Sequence, residues 1–550
     1  MAVGVLVCDC GETFGKTLQT DVLTEFARGI DGVKSVKVIS CLPGKAERDQ
    51  ITAAIREMRT DRIVVVGASP GAANERFRGA MSSAGKNPHL LAMANVREQC
   101  GWVHGEGATE KAKGLIISAV ARVKLMNPIP RREVVVTPHV LVIGGGLAGL
   151  ETSRVLGDLG CDVTIVEREA HLGGRLGEIS YLHQEGLHPE HLMRRLIDEV
   201  TACASVTVST STEVTKVTGQ IGHFRVALSD GNKVQTRDFG AIVVASGTQV
   251  TSPVSEYGLP SDRFTTLLTL QKMIRTSNRL PKRIALILDM DQEDGSVLTG
   301  AALRTAVAIR ERSSSEVFLL CRNMRVSEGP LESLYGRARE MGVVVFKMEE
   351  RPEITLGDYT ATFTFPDALS GKNVALACDL AAFGERVGPN TNLEDLGEIL
   401  GVRSGPGQFL QEDNVWLSPT RSNREGIFLA GTCRGMMGVE ATLVDAQAAA
   451  MEAYEVLAGG KLLFDADRAE VDADKCVLCL TCVRSCPMKA IEVDPERQVA
   501  QVMEEACRAC GICAAECPAK AIELRGYTDA QLLAETDSSS LIHAAEFGAS

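Results

Sequence analysis

Short apolar runs alternate with helical stretches along the first part of the chain. The runs VGVLVC, SVKVIS and RIVVVGAS have the length of strands, and the last helical stretch covers about Thr109–Lys124. Strands that alternate with helices favour a parallel α/β sheet. We therefore predict an N-terminal α/β domain over residues 1–127. Its first residues lack a basic leader and a small-residue cleavage site, so we interpret them as the first strand rather than a signal peptide.

A second block of alternating strands and helices follows a proline-containing linker at residues 127–138. Its middle has its own strand signals, RIALILDM and EVFLLC, and the chain later returns with the apolar run in EGIFLAGTC. This pattern predicts a nucleotide-binding domain made of residues 138–280 and 386–463. An α/β domain of residues 281–385, of the NAD(P)-binding type, interrupts it.

The stretch HVLVIGGGLAGLETSRVLGDLGCDVTIVERE contains every part of a dinucleotide-binding turn. An apolar strand leads into Gly144-x-Gly146-x-x-Gly149, then a helix, then a second strand that ends at Glu167. Gly144 permits the tight turn, Gly146 lets a pyrophosphate approach the helix N-terminus, and Gly149 lets helix and strand pack closely. Glu167 can accept hydrogen bonds from the adenosine ribose.

A second glycine pair favours FAD over NAD as the dinucleotide. Gly173, Gly174 and Arg175 follow Glu167 where glutathione-reductase-like flavoproteins, which this stretch resembles, carry glycines near the pyrophosphate. The segments AIVVASGTQ and EGIFLAGTCRGMMGVEATLVDAQAAA fit the same plan. The predicted cofactor-binding residues are Gly144, Gly146, Leu147, Ala148, Gly149, Glu167, Arg168, Gly174, Arg175, Ala245, Ser246, Gly247, Gly431 and Thr432.

An internal repeat near the C-terminus predicts a ferredoxin-like domain at residues 466–526. CVLCLTCVRSCPMKAIEV is echoed by CRACGICAAECPAKAIEL with an offset of 31 residues. Each half carries C-x-x-C-x-x-C-x-x-x-C-P, in which three thiolates hold one 4Fe-4S cluster and the fourth crosses to the other cluster. The predicted ligand sets are Cys476, Cys479, Cys482 and Cys517 for one cluster, and Cys486, Cys507, Cys510 and Cys513 for the other. Paired zinc sites are the alternative, but zinc does not require a third cysteine and a following C-P.

Composition narrows the class of protein. The chain has 550 residues, of which 45% are hydrophobic and 23% charged, and a formal net charge of −13. This is the balance of a globular protein, and the acidic charge argues against nucleic acid or an anionic membrane as the main partner. No apolar run reaches the about 20 residues of a membrane span. We expect a cytoplasmic protein, in which the clustered cysteines bind metal rather than form disulfides.

With these motifs in place, nearly the whole chain resembles the A-type subunits of the heterodisulfide reductase family. The similarity is carried by VCDCG, SPGAANERFRGAM, NPHLLAMANVREQCGWVH, GIFLAGTCRG and CPAKAIELRGYTDAQLLAE. The resemblance implies a thioredoxin/glutathione-reductase-like FAD fold, with an N-terminal α/β domain and a bacterial-type two-cluster ferredoxin domain (α+β). It also implies B-like and C-like subunits, or other electron-transfer proteins, as partners in a heteromeric complex.

The chain departs from the family pattern at several cysteine-bearing positions. No ferredoxin insert interrupts the flavin domain, and LDMDQEDGSVLTGAALRTA, from Leu288, has no cysteine where the family ligates a further cluster. Ala68 stands where a cysteine is expected before Ser69, and SYLHQEGLHPEH replaces another cysteine motif. We therefore expect electrons to pass between the flavin and the two C-terminal clusters only.

We predict a flavin and iron–sulfur oxidoreductase chain that works as one part of a complex and converts two-electron flavin chemistry to one-electron transfer. The resemblance raises electron bifurcation, a property that depends on reduction potentials. The alternatives are a self-contained NAD(P)H:ferredoxin-type oxidoreductase, a quinone-interacting complex within the same family, and an assembly scaffold with a structural flavin. A thioredoxin-reductase-type enzyme is disfavoured because C-x-x-C occurs only in the cluster module.

Several cysteines and histidines outside these motifs are further candidates for metal or redox chemistry. Cys8, Cys10, Cys41 and Cys100 lie in the N-terminal domain without a ligand spacing, and Cys433 follows Thr432. Packing is the more economical interpretation of a free cysteine. For His183, His188 and His191, a polar loop is the favoured interpretation over a metal site. We assign no chemistry to the tail at residues 527–550.

Overall fold

The computed structural model describes residues 1–9, 18–40, 45–105, 107–182, 188–277, 279–288, 290, 295–327 and 329–547. The helices in these ranges are α1 (Thr20–Gly29), α2 (Lys45–Glu57), α3 (Pro70–Ser83), α4 (Ala108–Leu125), α5 (Leu147–Asp158), α6 (Pro189–Ala202), α7 (Pro253–Glu256), α8 (Leu267–Thr276), α9 (Ser296–Arg312), α10 (Leu331–Glu340), α11 (Leu393–Leu400), α12 (Val439–Ala458), α13 (Thr481–Ser485), α14 (Ile512–Glu516) and α15 (Asp529–Phe547).

The strands in the same ranges are β1 (Val3–Asp9), β2 (Val33–Ser40), β3 (Arg62–Val66), β4 (Leu91–Ala94), β5 (Arg131–Val135), β6 (His139–Ile143), β7 (Asp162–Val166), β8 (Val206–Ser209), β9 (Glu213–Gln220), β10 (His223–Ser229), β11 (Val234–Phe239), β12 (Ala241–Val244), β13 (Thr248–Thr251), β14 (Phe264–Thr266), β15 (Arg283–Ile287), β16 (Glu316–Cys321), β17 (Val344–Lys347), β18 (Glu353–Leu356), β19 (Ala361–Pro366), β20 (Asn373–Cys378), β21 (Leu380–Phe383), β22 (Arg386–Pro389), β23 (Glu412–Asn414), β24 (Ser418–Ser422), β25 (Ile427–Leu429), β26 (Lys461–Asp465), β27 (Ala469–Val471), β28 (Ile491–Asp494), β29 (Val499–Val502) and β30 (Ile522–Leu524).

The first and last parts of the chain form one compact unit, Met1–Glu133 with Leu463–Ser550. Its N-terminal sheet has the order β2-β1-β3-β4 with parallel neighbours, as the alternating pattern predicts. Each strand is a run of apolar residues, and β1 and β3 are buried because helices cover the sheet. The two halves of the cysteine repeat form the short antiparallel pairs β27-β30 and β28-β29.

Helix α15 packs against α4 within this unit, although sequence analysis assigned it no structure. The Ser118 hydroxyl donates to the Glu535 carbonyl over 2.8 Å, and the Arg122 guanidinium lies 4.2 Å from the centre of the Tyr527 ring. In the same unit, His89 Nε2 is 3.0 Å from a carboxylate oxygen of Asp465. These contacts join the N-terminal domain to the chain on both sides of the cysteine repeat.

The second compact unit is Val134–Leu462. Its larger sheet has the order β23-β24-β25-β12-β6-β7-β8, and the parallel neighbours β25, β12, β6, β7 and β8 form its centre. A separate sheet, β14-β21-β15-β16-β17, is built from residues 264–383 and is parallel throughout. The antiparallel pair β13 and β22 carries the chain out of the first sheet region and back. A nucleotide-binding fold interrupted by a second α/β fold is therefore confirmed.

Candidate cofactor sites

The first glycine turn lies between β6 and α5 at the carboxyl edge of the large sheet. Gly144 has φ +110, and a Cβ on it would lie 2.3 Å from the carbonyl oxygen of Ala245. A Cβ on Gly149 would lie 1.8 Å from the Gly144 carbonyl oxygen, so only glycine fits there. A Cβ on Gly146, in contrast, would meet nothing closer than Gly174 Cα at 3.8 Å. The backbone at Gly146 is thus open to an approaching ligand.

The second glycine turn packs directly on the first. The Gly173 amide donates a hydrogen bond to the Gly145 carbonyl over 2.9 Å. Gly174 has φ +52, and a Cβ there would lie 2.8 Å from Gly146 Cα. The two turns therefore form one backbone surface at the N-terminus of α5, where amide groups and the helix dipole favour an anion.

The carboxylate of Glu167 lies over this surface, at the end of β7. One oxygen accepts a hydrogen bond from the Gly145 amide over 2.6 Å, and the other accepts from the Glu169 amide over 2.8 Å. These bonds fix the side chain beside the turn, as the position of an adenosine-binding acid requires.

A third glycine, Gly431, begins a short 3-10 turn after β25. It has φ +70, and its amide donates to Asp445 Oδ2 over 2.7 Å. Asp445 is buried on α12 and also pairs with Arg434. Sequence analysis missed Asp445, although an acid within the small-residue run ATLVDAQAAA was a signal that it has a buried partner.

A cavity of about 650 Å³ brings most of the predicted cofactor residues together. The predicted residues that line it are Gly144, Gly146, Leu147, Ala148, Glu167, Arg168, Gly174, Arg175, Ala245, Ser246, Gly247 and Thr432. The other two, Gly149 and Gly431, are not among its lining residues. A second cavity of about 360 Å³ shares Glu167, Ser246 and Asn390 with the first.

Two polar atoms in the larger cavity fit a bound dinucleotide. The Ser246 hydroxyl and the Tyr181 hydroxyl are buried and have no hydrogen-bond partner among the residues that the structure describes. Buried polar groups are normally satisfied, so these hydroxyls are suited to a polar ligand. With the open backbone at Gly146, the lining matches the length and mixed polarity of FAD.

The larger cavity also contains a buried carboxyl that sequence analysis missed. Glu385 is 6% exposed, and its Oε1 accepts a hydrogen bond from the Leu268 amide over 2.7 Å. Burial raises the pKa of Glu385, against the opposing effects of the Leu268 amide, the Thr266 hydroxyl and the charge of Arg175. Only its position in the three-dimensional structure marks this residue, because it belongs to no sequence motif.

The cysteine repeat gives two similar sites in the other unit. Positive φ angles recur at the 31-residue offset in Leu478 and Ala509, and in Lys489 and Lys520. The Ala490 amide donates to Cys486 Sγ over 3.3 Å, and its counterpart does the same in the second half, over 3.2 Å to Cys517 Sγ. The two halves therefore fold the same way around their crossing cysteines.

The first predicted ligand set surrounds a small cavity of about 20 Å³, which Cys476, Cys479, Cys482 and Cys517 all line. In the second set, burial raises the pKa of Cys513 to about 11, and the neighbouring thiols of Cys507, Cys486 and Cys510 contribute to that rise. Each crossing cysteine thus lies with the three cysteines of the other half.

The remaining candidates differ in their surroundings. Cys433 is buried and donates to the carbonyls of Val244 and Ala430, and burial raises its pKa to about 12. These contacts favour packing over redox chemistry. Cys8 and Cys100 are also buried.

Other candidates lie partly beyond the described ranges. Cys10, Cys41 and His183 fall outside the described residues, whereas His188 begins α6 and faces the ring of His191. Among the described residues, no three His, Cys, Asp or Glu side chains converge on one metal ion; a four-iron cluster instead spreads its thiolates over four separate irons. No helix in the described part of the chain is long and apolar enough to cross a membrane.

Two protein-family descriptions match the chain. Residues 138–453 match the pyridine nucleotide-disulphide oxidoreductase family, and residues 469–524 match the 4Fe-4S dicluster domain. The chain therefore belongs to the pyridine nucleotide-disulphide oxidoreductase family. The first match implies a flavin, and the second implies two 4Fe-4S clusters rather than zinc.

Its relatives identify the chain more narrowly as similar to the A-type subunits of heterodisulfide reductase, as sequence analysis predicted. It is 28% identical to the first A-type iron-sulfur subunit of CoB–CoM heterodisulfide reductase from Methanopyrus kandleri, covering 98% of this chain and 97% of that protein. The corresponding protein of Methanocaldococcus jannaschii is also 28% identical, covering 97% of this chain and 98% of that protein. The thioredoxin reductase of Lactococcus lactis matches 59% of this chain and all of its own, with 17% identity and a TM-score of 0.44.

Proposed function

We propose that the larger cavity holds FAD, with the pyrophosphate on the joined glycine turns and the adenosine beside Glu167. The observation that carries this proposal is the convergence of twelve predicted residues on one cavity. Gly146 and Gly174 offer backbone without side chains, Arg175 offers charge, and Ser246 offers a free hydroxyl. Asp445 positions the Gly431 turn at the wall of the same site.

We propose the two crossed cysteine sets as the ligands of two 4Fe-4S clusters. The grouping of Cys517 with Cys476, Cys479 and Cys482 around one small cavity supports the first set. The electrostatic proximity of Cys486 to the three cysteines of the second half supports the other. Amide donors to the crossing sulfurs would stabilise the thiolate form that binds iron.

Together these sites support an electron-transfer role within a heterodisulfide-reductase-like complex. A bound flavin exchanges an electron pair with one partner and single electrons with another. The cysteine sets hold the one-electron carriers, and B-like and C-like subunits or other electron-transfer proteins are the proposed partners. The acidic net charge of −13 favours protein partners over nucleic acid.

Purification from the native host tests this function directly. We expect about eight irons and one FAD per chain, from two four-iron clusters and one dinucleotide site, together with co-purifying electron-transfer proteins. A count near twelve irons would reveal a third cluster and contradict the proposed cofactor content. Reversible titration of flavin and clusters, with electron transfer to a partner, separates this function from that of a scaffold with a structural flavin.

Anaerobic mixing with NADH or NADPH tests the self-contained reductase. Rapid bleaching of the flavin by either nucleotide, with the purified chain alone, would favour a direct NAD(P)H:ferredoxin-type activity. We expect neither nucleotide to bleach it rapidly, because RIALILDMDQEDG lacks a second glycine fingerprint.

A further inference from the structure

Glu385 differs from the other carboxyl groups that line the larger cavity. It is buried at 6% exposure, whereas Glu167 is half-buried and Glu169 and Glu178 are exposed. A carboxyl held out of water beside a redox cofactor responds to the charge of that cofactor, because little solvent screens the interaction.

The strand that follows Glu385 shows where in the cavity it lies. Val387 and Asn390 line the same cavity, so β22 runs along its wall. Asn390 also lines the smaller cavity beside Glu167 and donates to the Ser246 carbonyl over 3.3 Å. Five residues of extended chain cover about 16 Å. Glu385 therefore lies away from the proposed adenosine end, towards the end left for the flavin ring.

The charged neighbours of Glu385 leave it without a close ionic partner among the described contacts. Arg175 acts on it electrostatically, but the Nε of Arg175 pairs with Glu178 over 3.3 Å. Arg386, next in sequence, pairs with Glu256 over 2.6 Å. The hydrogen bonds to Glu385 come from Leu268 at the beginning of α8 and from Thr266, which caps that helix.

Other titratable groups lie farther along the cavity. Tyr181 lines it with its hydroxyl buried, and Arg168 and His171 line it with exposed side chains. None of these three is a cause of the shift in the pKa of Glu385.

We propose that Glu385 binds a proton when the flavin is reduced and releases it when the flavin is oxidised. The inference rests on the proposed FAD site. Two electrons from one-electron donors of the iron–sulfur class, with one proton from water, add negative charge to the cavity. A second proton from water then neutralises the Glu385 carboxylate. Both protons return to water when the electrons leave, so charge and atoms balance.

Redox titration of the flavin-loaded protein over a range of pH tests this role, with dithionite and mediators as the electron source. Glu385→Gln keeps an oxygen that can accept from the Leu268 amide but cannot ionise, so α8 keeps its cap. Glu256→Gln is the matched control, because it removes a carboxyl beside the same strand but outside the cavity lining.

We expect the wild-type protein and E256Q to take up one more proton per electron pair than E385Q, within the pH range bounded by the Glu385 pKa values of the two redox states. In that range the wild-type potential falls more steeply with pH. Equal proton uptake in wild type and E385Q, when both titrate reversibly, would overturn the proposal and leave Glu385 as a helix cap. Failure of the wild-type protein to bind or titrate a flavin would instead refute the proposed function.

Infrared spectroscopy provides a reading that does not require a loaded cofactor. We expect the flavin-free protein to show the carbonyl band of a protonated carboxyl at pH values where an ordinary glutamate is ionised. The band should be lost in E385Q and kept in E256Q. Its absence from wild type would contradict the proposal even if the variant loses its flavin.

Discussion

The carboxylate of Asp445 accepts a hydrogen bond from the backbone amide of Gly431 over 2.7 Å, fourteen residues away along the chain. The contact ties α12 to the glycine turn at the wall of the proposed FAD site, and Arg434 shares the same carboxylate. Glutathione-reductase-like flavoproteins, which the sequence resembles, place an aspartate where Thr432 stands. Here a buried aspartate supports the turn from behind.

Asp445→Ala should therefore destabilise the protein and reduce its flavin content. Removal of the carboxylate leaves a buried amide and a half-buried guanidinium unpaired, and we expect a loss of about 3 kcal/mol in the free energy of unfolding. Urea unfolding and the FAD-to-protein absorbance ratio measure both effects. Val444→Ala, at an exposed position on the same helix, should stay within about 0.5 kcal/mol of wild type. Equal stability of D445A and wild type would refute this role.

Alanine at Gly146 and alanine at Gly149 should have different effects. A Cβ at Gly146 meets open space, so we expect G146A to fold normally but to bind FAD at least about tenfold more weakly, since the methyl group occupies the pyrophosphate position. A Cβ at Gly149 collides with the Gly144 carbonyl, so G149A should lose thermal stability even without FAD. FAD titration and melting of the flavin-free proteins distinguish the two. Equal affinity of G146A and wild type would place the pyrophosphate elsewhere.

Cys517→Ala should remove one cluster and leave the other. If Cys517 joins the first three cysteines, the variant should keep about four of eight irons and the cluster held by the second set. Iron analysis and electron paramagnetic resonance measure the outcome. Cys433→Ala, which removes a buried thiol in the other unit, should keep all the iron. Loss of the second-set signal in C517A, with the first retained, would reverse the assignment.

Cys433 should resist thiol reagents in the folded protein. Burial raises its pKa to about 12, so the thiol is neutral at every pH below that value and its thiolate is scarce at pH 8. Mass spectrometry after iodoacetamide treatment should find Cys433 unmodified in the native protein and modified after unfolding in urea. Fast native labelling at pH 8 would revive a redox role for this residue.

The acid limb of stability should depend on Asp467. Burial is the largest single influence on the pKa of this carboxyl and raises it, but His89, Arg78 and Arg468 together outweigh burial and lower the pKa. Because the folded-state pKa lies below the unfolded one, the ionised side chain stabilises the fold above the unfolded pKa. That contribution is lost as pH falls through the folded pKa. Melting temperatures of wild type and Asp467→Asn should therefore converge below about pH 3. A constant difference down to that pH would contradict this.

Local features were the part of the site that could be predicted. The glycine turn, Glu167 and the cysteine repeat depend on residues close in sequence, and twelve of the predicted cofactor residues line one cavity. Asp445 and Glu385 could not be found in this way. Each acts through a partner that a different element carries, and neither stands in a motif.

The sequence by itself determined the two cofactor classes and the α/β pattern. The spacing of glycines and cysteines specifies the conformation of a turn or the reach of a thiolate within a few residues. Only the tertiary structure decided that α15 packs on α4, that His89 meets Asp465, and that a buried carboxyl lines the proposed flavin cavity. These contacts join residues far apart in the chain. They depend on how complete elements pack, which the local pattern of residues does not specify.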